Sequence, residues 1–266
     1  MKNITEVIKS RESTRNYQKD ADLTSKLALL ETYINELNTQ TGPFGNIVRV
    51  TIVSSTADSS QMKLGTYGMI KGANHYLVVT VSEAPNYLLD VGYQFEKVIL
   101  YATSIGLSTV WMGGTFSRKH FRKALGDDQV EMPIVSPIGI KSENPRLVTK
   151  YLIKSKNHIR KPFADLFFES DGTTPLAYIE NDPYMAALEL VRIAPSAMNK
   201  QPWRVVKDAD DYHFYSASKL PTSDIDLGIA ICHFDLRLND SGIFGSFTNC
   251  PNDTLSDYVV TWKGNH

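Results

Sequence analysis

Hydrophobic and polar positions change period several times along this chain, and each period predicts an element. Residues 22–37 place Leu23, Leu27, Leu30, Ile34 and Leu37 three or four apart, the spacing of an amphipathic helix with one core-facing stripe. Residues 47–54 (IVRVTIVS) and 75–81 (HYLVVTV) are short, β-branched and flanked by turn residues, which predicts two strands. Between about 86 and 106 apolar residues cover most of the helical circumference, so a buried central helix is expected there, ended by Gly106. LSTVWMGG (107–114) predicts a short strand running into a Gly-Gly turn, and EMPIVSPIGIK (131–141) another strand.

After a loop around residues 169–174 the pattern changes. PYMAALELVRIA (183–194) predicts a helix with Pro183 in its first turn, followed by a loop and the strand WRVVK (203–207). DYHFYSAS (211–218) alternates as a strand, DIDLGIAICHFDLRLN (224–239) reads as a helix, and GIFGSFTN and DYVVTWK as two more strands. The whole predicts an α+β fold of layered α/β type. The expected division is 1–168 and 169–266, and the two parts are expected to share one core because no Pro-rich linker separates them.

The two parts repeat a pattern. Asp90-Val91-Gly92 opens the first central helix and Asp226-Leu227-Gly228 the second, and in each the next glycine, Gly106 or Gly242, follows sixteen residues after the Asp. Upstream, GPFGNIVRVTIV (42–53) and APSAMNKQPWRVV (194–206) are both Pro-containing loops leading into a strand. Loop, strand and helix recurring in one order predict two diverged copies of a module. One chain then builds the interface that a two-fold homodimer makes from two.

Composition narrows the partners. Lys and Arg number 28 against 29 Asp and Glu, which gives no bulk charge for nucleic acid or a membrane surface. The N-terminal MKNITEVIKSRESTRNY lacks an apolar segment of secretory length, and no run approaches a membrane span, so a cytoplasmic protein is expected. Cys232 and Cys250 form no CxxC and have no His at ligand spacing; both are expected as core or near-core thiols, with no metal site.

Four stretches carry candidate chemistry. In KSRESTRNY, Arg11, Ser13 and Arg15 can grip a phosphate through charge-assisted hydrogen bonds, or form a solvated basic turn with Ser13 as a helix cap. Glu12 favours the second alternative, because it adds a like charge to any phosphate. VWMGG (110–114) ends a strand with Gly113 and Gly114, which lets backbone N–H groups approach a flat ligand or simply makes a tight turn. Arg160 lies just before a Pro-initiated helix in HIRKPFADLF. In APSAMNKQPWRVV, Pro195 and Ser196 end a helix and Asn199 and Gln201 offer amides, which suits a polar, planar heterocycle. GxSxG, HExxH, Walker-type and GxGxxG motifs are absent, so no side-chain nucleophile or general base is named.

SRESTRNY, DVGYQFEKVILYATSIGLSTVWMGG, HIRKPFADLFF and APSAMNKQPWRVV resemble four segments of the nitroreductase family, FMN-dependent NAD(P)H oxidoreductases that are normally homodimers with sites at the interface. The order departs from the family: the APS…N.QPW segment, which usually follows the Arg-x-Ser turn closely, lies about 150 residues later here, and the early position holds the eroded TGPFGN. This is similar to a branch in which two nitroreductase-like halves are fused in one chain. The resemblance implies that Arg11, Ser13 and Arg160 hold the FMN phosphate, and that Arg15 lies near the flavin pyrimidine. It further implies that backbone at Gly113 and Gly114 faces N5, and that Pro195, Ser196 and Asn199 close the site from the second half. No Arg-x-Ser equivalent precedes residue 194 in the second half, so one FMN per chain is expected, in a monomer acting as a pseudo-dimer. The implied activity is reduction of nitroaromatics, quinones or similar small-molecule acceptors with NAD(P)H as reductant. The alternative is a flavin-free small-molecule binding protein of the same fold.

Overall fold

A computed structural model of the chain describes residues 3–54, 66–127, 129–143, 159–220, 222–251 and 254–265. Contacts divide it into two compact units. One comprises Ser10–Tyr87 and Gln94–Ser155, and the other Lys2–Lys9, Leu88–Tyr93 and Lys156–His266. This grouping differs from the expected division at 168/169. The reason is β5 (Phe167–Phe168), which pairs in parallel with β6 (Trp203–Asp208) and so ties the residues before 168 to the second sheet.

The first unit holds a four-stranded sheet of order β1-β2-β4-β3, from β1 (Val48–Ser54), β2 (His75–Val81), β4 (Val135–Gly139) and β3 (Ser108–Thr109). All three pairings are antiparallel, with Val50 opposite Val79 and Leu77 opposite Ser136. On β1, Val48 and Val50 are buried while Arg49 and Thr51 on the opposite face are exposed; that second face is covered only at its end, where Val53 is buried in a cluster with Tyr76 and Val78. Helix α2 (Thr24–Leu37) buries Leu30, Ile34 and Leu37, the later part of the anticipated stripe. It is joined to β1 through Asn38, whose amide donates to the Val50 carbonyl at 2.9 Å and accepts the Val50 N–H at 2.8 Å.

Helix α3 (Tyr87–Ser104) is apolar on nearly every face and accordingly buried: Val91, Phe95, Val98, Ile99 and Ala102 have no exposed surface. The predicted strand at 107–114 is shorter than expected. Only Ser108 and Thr109 form β3, and Met112 makes an isolated bridge to Val135. Helix α4 (Arg118–Leu125) was not anticipated, because its apolar stripe is only three residues long: Phe121 is fully buried, and Ala124 and Leu125 are half-buried against the same core cluster. Gly126, in left-handed backbone at φ 73°, ends it.

The second unit contains a five-stranded sheet of order β5-β6-β7-β9-β8, where β7 is Asp211–Ser216, β8 is Gly245–Thr248 and β9 is Tyr258–Gly264. Helices α5 (Pro183–Arg192) and α6 (Ser223–Asp240) pack together in this unit, and α1 (Ile4–Ser10) contributes the buried Val7 and Ile8. Pro183 occupies the first turn of α5 as predicted, and Asp182 caps it by accepting from Tyr184 N at 2.7 Å and Met185 N at 3.2 Å. Tyr184, Tyr212, Phe234 and Trp262 form one aromatic cluster between helix and sheet. Residues 163–165 after Pro162 form a single 3-10 turn, not the helix expected there. Cys232 is buried in α6, but Cys250 is exposed, against expectation, because it lies in the polar loop after β8.

Within this unit the first turns of α3 meet α6 backbone to backbone. A Cβ at Gly92 would lie 2.2 Å from the Ile225 carbonyl oxygen and 2.9 Å from Gly228 Cα; one at Gly228 would lie 2.1 Å from the Leu89 carbonyl oxygen and 2.9 Å from Gly92 Cα. The contact is reciprocal, since each glycine faces the carbonyl three residues before the other. Only glycine permits this approach. Gly92→Ala and Gly228→Ala are each expected to destabilise the protein by about 1–3 kcal/mol through overpacking, and the pair to be non-additive. Urea melts with midpoints equal to that of the parent would show that the crossing relaxes freely.

Candidate functional site

The first group of predicted residues lies in the unit built on the four-stranded sheet. Ser13 bridges in parallel to Thr109 of β3, and Thr14 N donates to the Thr109 carbonyl at 2.8 Å, so the basic run is laid along the strand that leads to Gly113 and Gly114. Tyr17 is buried and its hydroxyl donates to the Thr14 carbonyl at 2.6 Å, which closes the run into a fixed turn. Gly72, at φ 82°, admits the Tyr17 backbone: a Cβ there would lie 2.2 Å from the Tyr17 oxygen.

Arg11 carries the informative atom. Its Nη1 is buried and has no hydrogen-bond partner among the described residues. Burial pulls the Arg11 pKa down, while the charges of Glu96 and then Glu12 push it back up. A guanidinium does not escape this by deprotonating, so it remains a buried cation with an open donor. Glu96, fully buried on α3, accepts from Trp111 Nε1 at 3.0 Å, and Trp111 packs edge-on against Phe95. Glu12, whose charge argued against a phosphate, points to Lys141 and pairs with it at the surface. Arg15 is half-buried, and desolvation lowers its pKa, with Tyr17 opposing. Ser13 and Gly114 are exposed and Gly113 is half-buried; a Cβ at Gly114 would meet nothing within 4 Å, so the fold itself does not demand glycine there. The Gly113 carbonyl accepts from Arg118 Nη2 at 3.1 Å.

The second group lies in the other unit, where the structure brings the two separate segments around 160 and 199 into direct contact. Arg160 Nη1 donates to Asn199 Oδ1, Arg160 Nη2 donates to the Ile193 carbonyl at 2.9 Å, and Asn199 Nδ2 donates to the Ile159 carbonyl at 2.9 Å. Gln201 adds a second tie. Its Oε1 accepts from Lys161 N at 2.7 Å, its Nε2 donates to the Asn199 carbonyl at 3.0 Å, and its own N–H donates to Ser196 Oγ at 2.9 Å. The loop holds three non-glycine residues in left-handed backbone, Met198 at φ 51°, Asn199 at φ 55° and Gln201 at φ 49°. Pro195 and Ser196 stand at its entry, and both are half-buried.

Sequence reasoning named these two groups but missed Glu96 and Lys161. Glu96 had a signal, since it is an acid inside an otherwise apolar helix. Lys161 had none beyond its neighbour. A cavity of about 380 Å³ lined by Arg204, Tyr215, Ser218, Lys219 and Asp257 contains none of the predicted residues. Among the described residues no helix is long and apolar enough to cross a membrane.

Asp226, part of the repeated Asp-x-Gly, takes a further loop donor: Ala197 N lies 3.0 Å from each of its carboxylate oxygens. The side chain is buried, and burial raises its pKa to about 7, with the Ala197 hydrogen bond opposing.

The family model described as "Putative TM nitroreductase" matches residues 3–238. The chain belongs to this nitroreductase family. A solved putative nitroreductase from Thermotoga maritima has the same fold, at a TM-score of 0.60 and 18% identity over 98% of this chain and 93% of that one. Two further solved structures match part of the chain: a nitroreductase with bound FMN from Desulfitobacterium hafniense, and a nitroreductase family protein from Clostridium difficile. The first has a TM-score of 0.43 and 18% identity over 58% of this chain and 98% of its own. The second has a TM-score of 0.41 and 18% identity over 57% and 91%. No curated protein matches the sequence.

In this nitroreductase-family chain the buried Asp226 makes a pH prediction. Its folded pKa lies above the unfolded value of about 4, so between about pH 4 and 7 the folded state holds a proton that the unfolded state has released. Stability therefore falls as pH rises through that window, by up to on the order of 4 kcal/mol. Asp226→Asn, which keeps an acceptor and loses the charge, is expected to flatten this slope and to raise the thermal midpoint at about pH 8. Thermal melts of both proteins across that range decide it; parallel curves would mean that Asp226 ionises without penalty.

Proposed function

We propose that the protein is an FMN-dependent NAD(P)H oxidoreductase of nitroreductase type, reducing nitroaromatics, quinones or similar acceptors. The observation that carries this reading is the buried, unpartnered Nη1 of Arg11, next in sequence to the surface-paired Glu12 and the exposed Ser13. A buried cationic donor without an acceptor is costly, and a phosphate oxygen satisfies both its charge and its hydrogen bond. The residues present thus fit a phosphate-bearing cofactor.

In this reading Arg11, Ser13 and Arg160 hold the FMN phosphate, and Arg15 adds positive charge at the pyrimidine edge, where the reduced flavin is anionic. Backbone at Gly113 and Gly114 borders N5, and Pro195, Ser196 and Asn199 complete the wall, as the family resemblance implies. Held there, FMN would supply the hydride chemistry that links NAD(P)H to the acceptor. The chain's own task is to bind, to orient and to place charge, and no side chain is assigned as nucleophile or general base. We also read the chain as two nitroreductase-like halves with one flavin per chain. The reciprocal Gly92–Gly228 contact supports the duplication, because it relates the two Asp-x-Gly helices symmetrically.

One observation favours a second reading, a flavin-free binding protein: both terminal nitrogens of Arg160 already have protein acceptors, Asn199 Oδ1 and the Ile193 carbonyl. Titrating the purified protein with FMN, followed by quenching of free-flavin fluorescence, separates the two. Saturable one-to-one binding is expected, and no binding would favour the flavin-free reading. Arg11→Ala is expected to weaken FMN by about 1.5–3 kcal/mol, roughly ten- to a hundredfold, through loss of a charge-assisted contact. An unchanged affinity would place the phosphate elsewhere.

A further inference from the structure

Resting on the flavin reading above, we infer that Asp226 is the positioning residue of the flavin-facing loop, holding it through the Ala197 N–H so that Pro195, Ser196 and Asn199 are set before cofactor arrives. Three observations converge on it. The carboxylate reaches across 29 residues to one backbone donor and meets it with both oxygens at 3.0 Å. That donor lies at the start of the short 3-10 turn Ala197–Asn199, immediately before left-handed Met198 and Asn199. Successive left-handed non-glycine residues are an unfavourable backbone that persists only when its surroundings fix it.

The other ties of the loop hold different points. Ser196 Oγ takes Gln201 N, the Asn199 side chain reaches Arg160 and the Ile159 carbonyl, and Gln201 reaches Lys161. The first of these bonds ties Ser196 to the exit of the turn, and the Ser196 carbonyl also accepts from Asn199 N at 3.0 Å. Asp226 holds a different point, the Ala197 amide, and it anchors the turn to a helix outside the loop, so its loss frees that amide and the anchor. The Asp belongs to the helix whose place is fixed two residues later by Gly228, which makes the anchor rigid. A buried carboxylate is an expensive way to satisfy one N–H, and a positional role explains why this residue type stands there.

Asp226→Ala and Asp226→Asn in the full chain test this with two readouts. Hydrogen exchange of the 195–201 segment without flavin is expected to accelerate tenfold or more at Ala197 in Asp226→Ala and to stay near the parent rate in Asp226→Asn, whose amide oxygen still accepts. In FMN titrations Asp226→Ala is expected to bind at least tenfold more weakly and to change the visible circular dichroism of the bound flavin, and Asp226→Asn to restore both to within about threefold of the parent. Faster exchange, weaker FMN and rescue by Asn together support the inference. Parent-like exchange in Asp226→Ala, or parent-like FMN affinity and dichroism in that variant, overturns it. If the parent itself binds no FMN, the flavin reading falls and takes the cofactor half of the inference with it, while the exchange rates still decide whether the anchor exists.

Discussion

The crossing of α3 and α6 at two glycines is the constraint on which the placement of Asp226 depends. With room for no Cβ on either side, the helices cannot slide or rotate past one another without driving a carbonyl into a neighbouring backbone. That fixes the register of α6 as well as its position. Asp226 lies one residue after Ile225, whose carbonyl faces Gly92, and two before Gly228. The contact that looks like simple close packing therefore also aims a carboxylate at Ala197. The Asp and the Gly of the repeated motif thus have separate duties that depend on one geometry: the glycine sets where the helix runs, and the acid uses that placement.

Periodicity reported most of the architecture because most elements obey a single burial rule. α3 has no exposed residue on any face, α6 is buried along most of its length with Asp226, His233 and Asp235 among its buried residues, and β1 alternates over Val48–Thr51. The misses occur where that rule weakens. α4 has a stripe of only three residues, Phe121, Ala124 and Leu125, among five polar or charged ones, too short to stand out, and the Ser117 before it and Gly126 after it are the marks of its ends. The segment 107–114 predicts a strand, but only Ser108 and Thr109 form β3, and beyond them Met112 pairs with Val135 as an isolated bridge. Local composition likewise holds no trace of the pairing of Phe167 and Phe168 with a sheet whose next strand begins 35 residues later.

The site was legible as segments and not as contacts. Glu12 shows the difference. In sequence it is an acid between Arg11 and Ser13 that argues against an anion, whereas in the fold it is satisfied by Lys141, 129 residues away. Similarly, nothing near Arg160 announces Asn199 as its acceptor, yet the pair is made across 39 residues. Glu96 could have been found, since an acid on the buried face of an apolar helix needs a partner, and Trp111 supplies one. What the chain alone does not encode locally is which of its charges end up compensated, and that decides which cation remains open for a ligand.

The energetics of the two groups then differ in an instructive way. Around Arg11 a buried donor finds no acceptor among the described residues, and such a donor costs stability until something accepts from it. Around Asn199 the fold does the reverse: Arg160, Lys161, Ser196, Gln201 and Asp226 spend their hydrogen bonds holding an unfavourable loop still. A loop fixed in advance loses little conformational entropy when a ligand arrives, so an affinity that would otherwise be lost to ordering is retained. An open donor provides attraction and a preformed wall provides shape.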